Sequence, residues 1–245
     1  KIILQKIIIK IYNGGKNMYY NMNDIDVRSS NNFLRKVFLY MVLGVAISFG
    51  TGIYLYLFNQ ELLFSLARYF NIMGIAGLGM VLILNFFLEK MSAGMARILF
   101  ILYSLVIGTI FSTVGFAYSP LAILYAFASA LTIFVVMSIY GFFTKEDLSS
   151  YRTFLIVGLI SLIVMGLFNI YLGVGVLYWI ETIVGIVIFT GFTAYDVNRI
   201  KHISYQLANE EGENVEKLGI KWALELYLDF INLFINILRI FGRND

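Results

Sequence analysis

Seven apolar stretches, roughly 37–58, 71–88, 98–118, 121–143, 154–175, 177–197 and 218–241, follow one another with short polar gaps between them. Each is close to the about 20 residues with which an α-helix crosses the ~30 Å hydrocarbon layer of a bilayer. The pattern predicts an all-α integral membrane protein: one seven-helix transmembrane domain over 33–245, behind an N-terminal segment, 1–32, assigned to the cytoplasm. The gaps leave no room for a second domain. Pro120, the single proline, falls between the third and fourth stretches, where a helix has to stop in any case.

The seventh stretch departs from this apolar pattern. At 100° per residue, Lys221, Glu225, Asp229, Asn232, Asn236 and Arg239 fall within about 80° of its surface, and the remainder is mostly Leu, Ile, Phe, Tyr and Trp222. A polar stripe of this kind cannot face lipid, where its groups would lack partners. The C-terminal helix is therefore predicted to be central, with its stripe turned toward Asp196 at the end of the sixth stretch. An ionisable group at membrane depth costs at least ~2.5 kcal/mol and marks a functional site by default. Two of them, Asp196 and Asp229, point to ion or proton handling. A static polar clasp is the plainer reading of such a stripe, and it suits the asparagines better than Asp229.

Two further carboxylates qualify this picture. Glu225 lies one turn from Asp229, where two ionised groups would repel, so Lys221 or Arg199 is expected to neutralise one. An interfacial Lys221–Glu225 salt bridge is the simpler expectation. Glu181 follows Trp179 at the start of the sixth stretch, and reads as a solvated carboxylate at headgroup level. A vestibule that attracts cations is the alternative.

Composition agrees with a membrane domain. The chain is 60% hydrophobic and 13% charged, against roughly 25% charged in soluble domains, and its mean hydropathy is +0.83. It has no cysteine and one histidine, His202, which excludes disulfides, thiolate metal sites and multi-histidine zinc sites. No catalytic serine, cysteine or histidine arrangement and no nucleic-acid footprint is found, so neither an enzyme nor a nucleic-acid partner is expected. No cofactor is expected either.

Charge distribution sets an orientation. Fifteen cationic residues lie in the N-terminal segment and in the 2–3, 4–5 and 6–7 connections, against Arg68 alone in the others. The positive-inside rule then puts the N-terminus and the 6–7 connection in the cytoplasm. Arg239 and Arg243 end the seventh stretch, outside if it crosses fully and inside if it is re-entrant. Within 1–17, lysines interrupt a short isoleucine-rich run, which makes a poor signal peptide, and Met18 or Met22 is a candidate true start. Ala122, Ala126 and Ala130 form a small-residue seam. Gly74, Gly77 and Gly79 are expected to loosen and close-pack the second stretch; no Lys-Ser/Thr follows them, so no phosphate loop is implied.

The run Phe192-Thr193-Ala194-Tyr195-Asp196 and the run Leu226-Tyr227-Leu228-Asp229-Phe230-Ile231-Asn232-Leu233-Phe234 resemble the C-terminal signature of the Bax inhibitor-1 family. The segment 140–150 and Phe33-Leu34-Arg35-Lys36-Val37-Phe38 are similar to other parts of it, so the resemblance spans about 33–241. It implies a seven-helix bundle whose last helix is surrounded by the other six. It also implies a pH-sensitive calcium leak, probing protons through a hydrogen-bonded aspartate pair that matches Asp196 and Asp229. In bacterial relatives an arginine at the end of the second helix latches to the sixth-helix aspartate; Lys90 is the nearest position here, and a lysine lacks arginine's bidentate fork. Glu225, Asn232 and Glu181 are candidate supporting groups. The 6–7 connection, with Glu210, Glu211, Glu213 and Glu216, looks longer than in some relatives.

The chemistry suits this reading. Two carboxylates within hydrogen-bonding reach cannot both ionise cheaply, so they titrate as a unit. Sharing a proton, they hold their helices together; fully ionised, Asp196 and Asp229 repel and offer oxygens to a passing Ca²⁺, which takes six to eight. The expected partners are thus the lipid bilayer of a bacterial inner membrane, calcium as permeant ion, and protons. A proton-coupled transporter using the same aspartates, and a non-conducting regulator that binds membrane protein partners through the acidic 6–7 connection, are the rival readings.

Overall fold

The protein is described here by a computed structural model covering residues 27–242 except Asn209, with side chains from Asn31 onward. The isoleucine-rich run and the candidate starts at Met18 and Met22 lie outside the described residues.

Among the described residues there are eight helices of two turns or more: α1 (Val27–Phe58), α2 (Gln60–Ala67), α3 (Phe70–Phe86), α4 (Ala93–Ser112), α5 (Pro120–Phe143), α6 (Arg152–Leu172), α7 (Gly175–Gln206) and α8 (Glu213–Ile240). No strand occurs among the described residues. Polar residues in the gaps set the boundaries. Ser92 accepts the Met95 N–H to start α4, and Ser119 accepts the Ala122 N–H to start α5, with Pro120 in the first turn. Asn59 caps α2 on the Leu62 N–H. Gly173, at φ 61°, closes α6 in the left-handed conformation that glycine adopts without a Cβ clash.

The seven apolar stretches correspond to seven of these helices, and α2 is an additional short helix in the connection between the first and second stretches. α2 and α3 meet at an 80° bend across Arg68 and Tyr69. α3 alone has 17 residues, about 25 Å at 1.5 Å per residue, which is short of the hydrocarbon thickness. Among the described residues, five helices are long and apolar enough to cross a membrane, six if the bent pair acts as one span. Of the three glycines in this stretch only Gly77 meets a neighbour, Tyr103; Gly74 and Gly79 face open space, so close packing there is confined to Gly77. Ala126 and Ala130 are fully buried, as a packing seam requires.

α8 is less apolar than the others because of its stripe, and it is the enclosed one. Seventeen of its 28 residues are buried, against one of 21 in α6. The C-terminal helix is therefore central, packed against α7, α1, α5 and α4. α3 packs mainly on α4 and α6 mainly on α7, so these two stand outside that ring instead of sharing in the enclosure. Phe230 and Phe234 of α8 meet Phe49, Phe127 and Phe134 edge-on, with centroids 4.8–5.8 Å apart for the Phe49–Phe127, Phe49–Phe234 and Phe134–Phe230 pairs.

The connection between α7 and α8 is short, 207–212, and not the long acidic loop expected. α7 continues ten residues past Asp196, and α8 begins at Glu213, so polar residues assigned to a loop lie on helices. Glu216 accepts the Arg97 guanidinium at 3.1 Å and the Tyr40 hydroxyl at 3.3 Å. Glu213 accepts the Ala93 N–H at 2.8 Å, at the positive end of α4. Lys217 donates to the Glu89 carbonyl at 3.5 Å. The start of α8 thus clamps the α3–α4 connection.

Candidate functional site

α7 and α8 run antiparallel, and the polar stripe of α8 lies along α7 at four successive levels. Arg199 stacks over the Trp222 ring, 4.9 Å from its centroid. Below it, the Asp196 and Asp229 carboxyls are within hydrogen-bonding reach of each other. Next, Gly185 faces Asn236: a Cβ on Gly185 would stand 2.6 Å from Asn236 Oδ1, so only glycine leaves room for the amide. At the far end Arg239 lies over the Tyr178 ring at 5.4 Å. α8 is unbroken from Glu213 to Ile240, so Arg239 sits at the opposite end of the seam from Arg199, as a full crossing requires.

The aspartates are deep in the protein, with Asp196 7% and Asp229 5% exposed. Glu225 acts electrostatically on both, while Arg199 and Lys221 act on Asp196 and on Glu225. An ionised carboxylate is acceptor only, so a hydrogen bond between two carboxyls requires a proton on one of them. The Oδ2 atom of Asp229 is buried without a partner. Among the described residues no three acidic or histidine side chains are arranged to hold a metal ion. The Asp196–Asp229 pair by itself offers four carboxylate oxygens, fewer than the six to eight of a resident Ca²⁺ site.

The segment around Asp196 also anchors α7 to α5. Asn198 donates to the Gly141 carbonyl at 3.0 Å and Lys201 to the Thr144 carbonyl at 3.3 Å, satisfying orphan carbonyls at the end of α5. Gly141 has to be glycine, because a Cβ there would collide with the Ala194 carbonyl oxygen. Four consecutive polar or charged functions are thus divided: Asp196 to α8, Asn198 to α5, Arg199 to Trp222, and Lys201 to the α5 terminus.

Other candidate residues are placed differently from expectation. Lys90 is exposed in the 3-10 turn Leu88–Lys90, with its ammonium 5.4 Å from the Phe87 centroid, and the groups acting on Asp196 are Arg199, Lys221 and Glu225 instead. Asn232 donates to the Leu228 carbonyl at 2.7 Å and Asn236 to the Asn232 carbonyl at 2.8 Å. Both amides therefore donate back into α8, which weakens the reading of the asparagines as a clasp between helices. Glu181 is 9% exposed, not solvated at headgroup level, and its Oε1 has no partner.

One group of residues escaped the sequence reading. The Tyr227 hydroxyl meets Ser48 Oγ at 2.6 Å, and Ser48 Oγ lies 2.8 Å from the Ser104 carbonyl oxygen. This node ties α8 to α1 and α4 at the level of the aspartates, since Tyr227 precedes Asp229 by two residues. The available signal is chemical: a buried tyrosine hydroxyl needs a partner, and a serine on each neighbouring apolar helix can supply one.

Fold and site define a polytopic helical membrane protein whose central last helix shares a buried acidic pair with the helix before it. A model of the family described as inhibitor of apoptosis-promoting Bax1 matches residues 30–245, and the chain belongs to this Bax inhibitor-1 family. It is 38% identical over 184 residues to inner membrane protein YbhL of Escherichia coli K12, covering 75% of this chain and 79% of YbhL. It is 35% identical over 213 residues to an uncharacterized protein of Deinococcus radiodurans, 87% and 91% of the two chains. An uncharacterized membrane protein of Streptococcus pyogenes serotype M6 is 34% identical over 234 residues, 92% and 97%.

Proposed function

We propose that this membrane protein is a pH-gated calcium leak channel of the bacterial inner membrane, with its N-terminus in the cytoplasm and the Asp196–Asp229 pair as its proton-sensitive gate. The observation that carries the reading is the contact of two buried carboxyls inside a cluster of five charged groups. Asp196, Asp229 and Glu225 bring three negative charges when ionised, and Arg199 and Lys221 bring two positive ones. The cluster is neutral when one proton is held, and neutrality favours the packed arrangement at low dielectric. Loss of that proton leaves a net negative charge between α7 and α8. The two helices are then pushed apart where Asp229 Oδ2 already lacks a partner, and the freed oxygens favour a cation.

Calcium flux into liposomes containing the purified protein, measured against pH for wild type beside Asp196→Asn, tests this. Wild-type flux that varies with pH, and a variant that has lost the dependence, is the expected result. One observation favours the proton-coupled transporter as a second reading: the broken α2–α3 segment, since interrupted helices line transporter sites. Flux that requires a proton gradient would select it. The regulator reading is weakened at Glu213 and Glu216, which are engaged within the protein, and it predicts no flux at all.

A further inference from the structure

We infer that Glu181 is a second cation-binding station on the α7–α8 seam, taking a divalent cation such as calcium at the end remote from Arg199 and Lys201. This deepens the leak-channel reading and rests on it for the direction of traffic. The starting observation is a carboxyl more than nine-tenths buried, with Oε1 unpartnered, in a helix whose other buried carboxyl, Asp196, faces one on α8. A buried carboxyl oxygen without a hydrogen-bond donor is costly unless another group supplies its partner, and a bound cation would do so.

Geometry aligns it with the aspartate pair. Glu181, Gly185 and Asp196 fall within about 60° of one another on α7, at 100° per residue. Fifteen residues separate the two carboxyls, about 22 Å along the axis. Between them Gly185 is filled by the Asn236 amide, whose nitrogen donates to the Asn232 carbonyl. The Asn236 amide thus lies against α7 at Gly185, one turn from Glu181, and its Oδ1 is not used by the Asn232 bond. A carboxylate and an amide oxygen on facing helices are hard-cation ligands, to be completed by water. On the third side stands α6, where Glu181 Oε2 is 4.0 Å from the place a Cβ on Gly166 would occupy; any larger residue there would narrow the space. Arg239, the cation at this end of α8, is placed over Tyr178.

Glu181→Gln and Glu181→Asp in liposomes test the inference. Glutamine keeps the size without the charge, and aspartate keeps the charge. The expected result is a several-fold increase in the calcium concentration giving half-maximal flux for the glutamine variant, with the pH midpoint unmoved and the aspartate variant close to wild type. A conducting wild type with an unchanged concentration dependence in Glu181→Gln overturns the station and leaves the gate standing. A wild type that conducts nothing overturns the leak-channel reading, and a second measurement then decides on Glu181 alone. Dicyclohexylcarbodiimide modifies buried carboxyls, and peptide mass spectrometry reads Glu181 separately from Asp196 and Asp229. Modification that calcium suppresses supports cation binding; modification indifferent to calcium, or none in either condition, overturns it.

Discussion

The Asp229 carboxyl lies within reach of Asp196 and its Oδ2 is buried without a hydrogen-bond partner, and substitution can separate the two functions of this side chain, bonding and ionising. Asparagine keeps the shape and still bonds Asp196 but cannot ionise. Asp229→Asn is expected to insert normally and to flatten the pH response of calcium flux, because the variant has no second carboxyl with which Asp196 could share a proton. A variant that retains the wild-type profile would return the pair to a static clasp. Tyr227 offers a purely structural contrast. Tyr227→Phe removes one bond to Ser48, which keeps the Ser104 carbonyl, and should cost about 0.6 kcal/mol, the typical value for a hydrogen bond between membrane helices. Thermal unfolding in detergent reads that loss, and the pH profile of flux should not move. Both aspartates were legible in the sequence because charge on an apolar helix stands out. The Ser48–Tyr227 node was not, since neither residue is unusual until the fold brings them together.

Elements meet at glycines, and Gly141 is the clearest case. It lets the end of α5 touch the Ala194 carbonyl while Asn198 bonds the Gly141 carbonyl. Gly141→Val should force α5 away from α7, at a cost of about 1–3 kcal/mol for overpacking, together with the Asn198 bond. A melting temperature equal to wild type would show that this junction is loose. The 3-10 turn that follows depends on Asp147, whose side chain accepts the Ser149 N–H, and this bond holds its carboxyl below the usual carboxylate range. A depressed folded-state value means that the contribution is present above the unfolded pKa and lost as pH falls through the folded one. Asp147→Ala, expected to cost about 1 kcal/mol as a lost cap, should therefore differ from wild type at neutral pH and converge with it in strong acid. Stability measured at both pH values checks the sign. At this scale the sequence marked all seven apolar stretches, because lipid demands length and apolarity. It did not mark the bend at Arg68 and Tyr69, which no proline or capping signal announces, nor the extension of α7 to Gln206. Polar residues that leave the bilayer look like loop, although nothing in their propensities prevents the helix from continuing.

For the whole molecule, the arrangement that matters is one highly charged helix with most of its length buried among the others. α8 would be a poor membrane span by itself, and α7, α1, α5 and α4 supply the surroundings that its stripe needs. Insertion and folding are therefore linked: the stripe is tolerable only after α7 is in place beside it. Direction across the membrane is a separate matter, set by loop charge. The cationic residues at the α3–α4, α5–α6 and α7–α8 ends, from Lys90 and Arg97 to Lys217 and Lys221, share one end of the bundle, and the α6–α7 connection at Gly173 lies at the other. The positive-inside rule predicts that the first of these is the cytoplasmic end, as in the proposed topology. The chain has no cysteine, so single introduced thiols report without background. Lys145→Cys, in the α5–α6 connection, should resist a membrane-impermeant maleimide in intact cells and react once the membrane is opened. Val174→Cys, in the α6–α7 connection, should react in both conditions. The reverse pattern would invert the protein, place Glu181 on the cytoplasmic side, and make the aspartate pair face the external pH.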